Sequence, residues 1–453
     1  MTNMPGNLHL QNLLIYFFHS LMQRNVMYCV LRNYELLPEN IENDIDMLVL
    51  PEHKAVFESC IMDSAKATGW TLLMRPIRHG YTAYWFQSDI SGDYVHFDAW
   101  TKIAWKGLRW ANEAEVLSRR VRRDQFYIPC ASDEACISLI KDLIQVGIIK
   151  GKYKPGINSV VINSRTIFTN ALQWGFGNKL AIRLCDLIER DDWVTCVKLK
   201  NSMRRSVLWQ SVLRNPLEPI LSVLCFLGSY MRSLVFNRTG IFVALIGPDG
   251  SGKTTIAEGL VKSMNKLFPA PLYYHGRFFF LPDLRNIYNV MRRMFGRKPV
   301  KLSPSGFNTL GNMQPHTKLR VCMYLFYYFW DYILGYWVIG NIRTKGQLLI
   351  FDRYFYDYLI QQQYAFMPKM LARLMLLLIP KPDIILYLKC EPAVIHQRKP
   401  ELSVAAIKQQ QLVCDSLAQT LANVFTVQTA SMPQETLKII NIIIANNLKA
   451  RQH

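Results

Sequence analysis

The run Gly247-Pro248-Asp249-Gly250-Ser251-Gly252-Lys253-Thr254 is a full match to GxxxxGK[ST]. Its glycines let backbone N–H groups converge on phosphate oxygens without Cβ clashes. A helix starting at the end of the loop adds the partial positive charge of its N-terminus. In this pattern Gly247, Asp249, Gly250, Ser251, Gly252 and Thr255 line the nucleotide, Lys253 reaches its β- and γ-phosphates, and Thr254 ligates Mg²⁺.

Two further segments bring charge to the same kind of edge. In Gln347–Tyr354 an apolar run delivers Asp352 and Arg353 to the C-terminal end of a strand, where parallel sheets bind ligands. Asp352 is expected to support Mg²⁺ or accept a proton, and Arg353 to hold a phosphate. Pro382–Leu388 reads as another buried strand, followed by Glu391-Pro392 and a helix with His396, Arg398 and Lys399. Arg398 and Lys399 are the expected lid over the outer phosphates.

These segments need a parallel sheet to align them. IFVALI, from Ile241, feeds the glycine-rich loop, and IAEGL opens a helix after it. Strands and helices alternate from there onward, closing with Val424–Thr429 and a helix after Pro433, as in a parallel sheet covered on both faces. Three regions follow: a mixed region over 1–130, a helical and basic connecting region over 131–236, and the α/β region over 237–453.

The first region has its own candidate chemistry. Asp44 and Asp46 lie two apart on a predicted strand and project to one face, and His96-Phe97-Asp98 ends a later strand with a third carboxylate. Three carboxylates converging from two strands would hold two metal ions for nucleotidyl transfer.

The 453 residues carry 53 Lys+Arg against 33 Asp+Glu, a formal charge of +20, and half are apolar, which excludes a mainly disordered chain. Ten scattered cysteines without a CxxC pair suit reduced thiols in a cytoplasm rather than a disulfide scaffold. The N-terminal segment lacks a basic start and a small-residue cleavage site, so no signal peptide is expected. Val321–Gly340 is apolar enough to suggest a membrane span, but Asp331 at its centre would cost about 2.5–3.5 kcal/mol. It is read as a buried helix. The basic runs at 119–123, 198–238 and 285–301 suggest peripheral contact with an anionic membrane surface, whereas no nucleic-acid-reading pattern is present.

GPDGSGKTT, FDRY and PKPDIILYLKCEP, in that order, resemble the thymidylate-kinase-like branch of P-loop kinases over about 241–450. They are also similar to a bacterial subgroup found with surface-polysaccharide genes, through His275-Gly276-Arg277, Asp352–Tyr354 and Arg398–Ser403. The resemblance implies ATP and Mg²⁺ as cofactors, catalysis by Lys253, Asp352 and Arg353, and an acceptor held by Asp249, Arg277 and Arg353. Where the family carries an arginine that grips the acceptor's phosphate, this chain has Asp331, which suits a hydroxyl. Arg320, three helical turns earlier on the same predicted helix, is a candidate substitute for that arginine but not its equivalent. The small acceptor is therefore a nucleotide, a nucleoside or a sugar.

Residues 25–130 resemble the nucleotidyltransferase fold through Asp44, Asp46 and Asp98, with Leu31-Arg32-Asn33-Tyr34 where that fold has a glycine turn. The expected architecture is an α/β chain. It joins an N-terminal α+β nucleotidyltransferase-like domain with a helical extension to a C-terminal P-loop NTPase whose parallel sheet is flanked by helices. Nucleotidyl transfer in the first half and a nucleotide-regulated membrane scaffold are the rival functions. The oligomeric state stays open, a dimer included.

Overall fold

The computed structural model describes residues 8–41, 44–235, 239–265, 267–268, 270–295, 318–360, 368–400, 402–429 and 432–451. The chain forms two compact units, Met1–Val235 with the last three residues, and Phe236–Ala450.

The first unit opens with α1 (Leu8–Gln23), β1 (Tyr28–Val30), β2 (Ile45–Val49) and α2 (Lys54–Ala67). The strands β3 (Trp70–Met74), β4 (Ile77–Arg78), β5 (Tyr81–Ser88) and β6 (Tyr94–Trp100) complete one mixed sheet in the order β1-β2-β6-β5-β3, with β4 on β5. β2 and β6 are parallel, and Asp46 stands opposite Asp98. Two small hairpins follow, β7 (Ala104–Trp105) with β8 (Leu108–Arg109), then α3 (Glu113–Ser118), then β9 (Val121–Arg123) with β10 (Phe126–Ile128). Six helices end the unit: α4 (Ala131–Gln145), α5 (Lys154–Phe176), α6 (Asn178–Glu189), α7 (Trp193–Lys198), α8 (Lys200–Arg214) and α9 (Glu218–Val235). The three- and four-residue apolar spacing seen in the sequence is the buried stripe of α4 and α6, where Leu139, Leu143, Leu184 and Ile188 are fully buried in one core with Val161 and Phe168 of α5.

The second unit begins with β11 (Ile241–Ile246), α10 (Lys253–Ser263), β12 (Leu272–His275), α11 (Leu284–Met294) and α12 (Lys318–Lys345). It continues with β13 (Leu348–Asp352), α13 (Asp357–Ile360), α14 (Lys369–Leu378), β14 (Ile384–Lys389), α15 (Pro392–Arg398), α16 (Val404–Thr420), β15 (Val424–Gln428) and α17 (Pro433–Ala450). The five strands form one parallel sheet in the order β12-β13-β11-β14-β15. β11, β13 and β14 are almost wholly buried, which is why their sequences run apolar without alternating. On one face Phe242, Ala244, Leu349, Phe351 and Tyr387 pack against Leu325, Tyr332 and Ile342 of α12 and Cys414 of α16.

The register carries the chemistry. Leu245 of β11 lies beside Asp352 of β13, and Asp352 lies beside His275 of β12. The loop after β11 therefore opens at the same level as the polar ends of two neighbouring strands.

The apolar segment 321–340 lies within α12, and its Asp331 is fully buried. Among the described residues no helix is long and apolar enough to cross a membrane. Parts of the basic runs, 236–238 and 296–301, lie outside the described residues, as do Asn43 and Glu401 and the side chains of Arg285 and Arg320.

Candidate functional site

The loop 247–252 needs backbone that side chains rarely adopt. Gly250 and Gly252 both have φ +91°, and a Cβ on Gly250 would come within 3.1 Å of Ile395. Within this frame the Lys253 ammonium donates to the Gly247 and Pro248 carbonyls at 2.6 and 3.0 Å. Such bonds fold the lysine over the cradle, from which it can turn to a phosphate.

Three cations surround Asp249. Arg353 donates to it at 2.8 Å, and Lys253 and Lys399 lie at 3.6 and 3.7 Å. Burial works to raise this carboxyl, but the three charges outweigh it and hold it below the usual carboxylate range. Arg353 sits at φ 59°, a left-handed conformation costly for a side-chain-bearing residue, and this turns it off the end of β13 beside the loop.

Thr254 Oγ1, in the first turn of α10, donates to Asp352 Oδ2 at the end of β13 at 2.9 Å. Tyr273 donates to the same oxygen at 3.3 Å, and His275 Nδ1 lies 3.2 Å from it. Asp352 Oδ1 is buried without a hydrogen-bond partner among the described residues. Burial opposes ionisation, yet the His275 bond and the Lys253 charge outweigh it and keep Asp352 ionised. A hydroxyl, an ionised carboxylate and an orphaned carboxylate oxygen make a fitting donor set for Mg²⁺. Tyr273 and His275 share a face because they lie two apart on β12, a spacing legible in LYYH but without meaning until β12 is known to adjoin β13.

One carboxyl differs from these. Asp357 lies five residues beyond Asp352, is 6 % exposed, and has a buried Oδ1 without a hydrogen-bond partner among the described residues. Burial pushes it up to about 7, against the pull of Lys253 and Arg353. Nothing in the sequence distinguishes it from an acid in a surface turn, because its burial depends on the fold.

Two expected acceptor residues have other roles. Asp331 accepts from the backbone N–H groups of Phe278 and Phe279 with Oδ2, at 2.9 and 3.1 Å, and of Leu281 with Oδ1 at 2.8 Å. It is fully buried and anchors the loop after β12, so the expectation that it reads an acceptor hydroxyl is corrected. Arg277 donates to Leu281 O at 3.0 Å and stacks over Phe279 and Tyr328. It braces the same loop, which corrects its expected grip on the acceptor. Of the lid pair, Lys399 reaches Asp249 while Arg398 points to the Thr429 carbonyl at 3.4 Å.

In the first unit the three carboxylates do not converge as expected. Asp46 takes Arg32 Nε at 2.5 Å, Trp100 Nε1 at 3.1 Å and Lys141 Nζ at 3.4 Å. Arg32 comes from the segment that stands where a glycine turn was sought, and it occupies the carboxylate instead. Asp44 and Asp98 group with His96 rather than with Asp46, their ligand atoms within 4.8 Å of one another. His96 is stacked on Trp85, and Asp98 accepts from Tyr81 at 2.7 Å. The three-carboxylate site is corrected to a cluster of two carboxylates and one imidazole.

No protein-family model matches the chain, and no curated protein matches it. Among solved structures it is similar to a thymidylate kinase from Ehrlichia chaffeensis, at 15% identity over 45% of this chain and 98% of that one, with a TM-score of 0.30. It is also similar to a thymidylate kinase from Candida albicans, at 17% identity over 46% of this chain and 93% of that one, with a TM-score of 0.32.

Asp331→Ala leaves three backbone amides without their acceptor, one buried and two part-buried, and should lower stability by about 2–3 kcal/mol in denaturant unfolding, with nucleotide affinity retained. Unchanged stability would contradict the anchoring role. Asp46→Ala should cost about 3–5 kcal/mol by leaving Arg32 and Lys141 unpaired. Burial opposes ionisation of Asp46, but Lys141 and Arg32 depress its pKa. Its contribution is therefore complete above the unfolded value of about 4 and is lost as pH falls through the lower folded value. Acid titration of stability should accordingly be shallower in the variant, and an identical acid limb would contradict the pairing.

Proposed function

We propose that the second unit is an ATP- and Mg²⁺-dependent phosphotransferase acting on a small acceptor. The observation that carries this reading is the Thr254–Asp352 hydrogen bond at the mouth of the loop 247–254, which joins a phosphate cradle to a metal-binding carboxylate across two parallel strands. Neither a structural turn nor a simple anion site needs that pairing.

In this reading the loop amides hold the β- and γ-phosphates, and Lys253 leaves its carbonyl partners to neutralise the charge that spreads onto the transferring group. Thr254 and Asp352 would hold Mg²⁺, which supplies charge neutralisation to the phosphates when bound. His275 and Tyr273 orient Asp352 from behind. Arg353, tied to Asp249, stands where the acceptor meets the γ-phosphate, and Lys399 covers the loop. Rate acceleration then comes chiefly from positioning and preorganised charge.

The finer identity, a thymidylate-kinase-like enzyme serving polysaccharide synthesis, rests on the motif order alone. For the first unit, the Asp44–His96–Asp98 cluster favours metal binding, whereas the occupied Asp46 weighs against nucleotidyl transfer.

Full-length protein incubated with MgATP and a panel of acceptors should release ADP in an acceptor-dependent way. Lys253→Ala should reduce kcat/KM by about 10²–10³-fold, the scale of losing one electrostatic donor to the transferring group. Full activity in that variant, or ADP release indifferent to every acceptor, would overturn the reading.

A further inference from the structure

In the first unit β2 and β6 turn one face to an apolar core, through Ile45 and Met47 of one and Val95, Phe97 and Ala99 of the other. The alternate positions, Asp44, Asp46, His96 and Asp98, therefore share the opposite face. These four groups divide by what surrounds them. Asp46 is already balanced by two cations, Arg32 at 2.5 Å and Lys141 at 3.4 Å. Among the described residues neither Asp44 nor Asp98 is paired with a lysine or an arginine, and both group with His96, one ligand atom from each of the three lying within 4.8 Å of the others.

His96 supplies a second observation. Its Nε2 is closed to solvent and has no hydrogen-bond partner among the described residues, although Asp98 Oδ1 lies only 2.6 Å away. The two atoms are close without the alignment of a hydrogen bond, which is how neighbouring ligands stand beside one cation. An orphaned imidazole nitrogen next to two carboxylates is costly, and a bound cation would satisfy all three. The cluster is also held from outside. Trp85 stacks on the His96 ring with centroids 3.5 Å apart, and Tyr81 donates to Asp98 Oδ1 at 2.7 Å. Such outer contacts fix ring plane and carboxylate in the way that metal ligands are fixed.

We propose that Asp44, His96 and Asp98 bind a single divalent transition-metal ion, Zn²⁺ or a close relative, with at least one coordination position open. The donor set selects the metal. Mg²⁺ and Ca²⁺ take oxygen ligands, whereas an imidazole with two carboxylates suits Zn²⁺, at about 2.0–2.2 Å from each donor. Structural zinc sites are closed by four protein ligands, and three leave room for water or a further ligand. With Asp46 held by Arg32 and Lys141, no third carboxylate is left to bridge a second ion. The inference deepens the metal-binding reading of the first unit and does not depend on the phosphotransferase reading of the second.

The test titrates Co²⁺, whose visible absorption reports its donors, into full-length protein stripped with a chelator. Asp352→Asn protein is titrated alongside, so that the second unit's carboxylate cannot supply the signal. Both should bind one Co²⁺ per chain, displaced by Zn²⁺ but not by a large excess of Mg²⁺, and Zn²⁺ should raise the unfolding temperature of both. Asp44→Asn and His96→Gln should each weaken Co²⁺ binding by about 100-fold or more and abolish the Zn²⁺-dependent rise. Should His96→Gln fail to fold, Asp44→Asn, at a half-buried position, carries the test. No Co²⁺ binding by the parent, binding unchanged in Asp44→Asn, or ready displacement by Mg²⁺ would each overturn the assignment. Failure to bind MgATP while Co²⁺ binding persists would remove the phosphotransferase reading and leave this site standing.

Discussion

The second unit depends on one alignment: β11, β13 and β12 run parallel and end at a common level. Leu245 beside Asp352, and Asp352 beside His275, bring together a backbone cradle, a carboxylate and an imidazole that are far apart in the sequence. Every charge at the site is arranged around that edge. Arg353 leaves β13 in a left-handed turn and is tied to Asp249, and Thr254, the second residue of α10, closes onto Asp352. A slip of one residue along β13 would carry Asp352 off the level of the loop and turn it to the opposite face of the sheet.

A second layer holds the loop beyond β12. Asp331, in the middle of an otherwise aromatic and aliphatic helix, is an expensive residue to bury, and its three backbone partners explain why it is tolerated. The hydroxyl of Tyr332 donates to the Gly276 carbonyl, so consecutive residues of α12 secure both ends of the same turn. Arg277 is held inside that turn and works as a brace. In the first unit Asp46 is settled in a comparable way, its charge balanced by Arg32 and Lys141 before any metal could compete for it.

Much of this architecture was legible in the sequence, because local patterns dictated it. The phosphate loop, the strands at 241–246, 348–352 and 384–389, and the closing helix are signalled by apolar runs and by glycine spacing within a few residues of each other. What escaped depends on long-range packing. β5 and β12 mix polar and aromatic residues instead of running apolar, and β12 is the edge strand of its sheet, so their pairing with β6 and β13 has no local signal. Asp331 invited a reading from motif position, while its true partners are backbone amides some fifty residues earlier, which carry no side-chain signature. His96 was visible in HFD, but only the parallel pairing that brings Asp44 level with it makes it a neighbour. Asp357 could not be told from a surface acid until its burial was known.

The most direct measurement is calorimetric titration of ATP into the full-length protein, with and without Mg²⁺, for the parent and for Asp352→Asn. If Thr254 and Asp352 form the metal-binding mouth of the cradle, Mg²⁺ tightens ATP binding by about tenfold or more in the parent, and the gain disappears in the variant. An equal gain from Mg²⁺ in both proteins would contradict the alignment of β11 and β13 as the basis of the site.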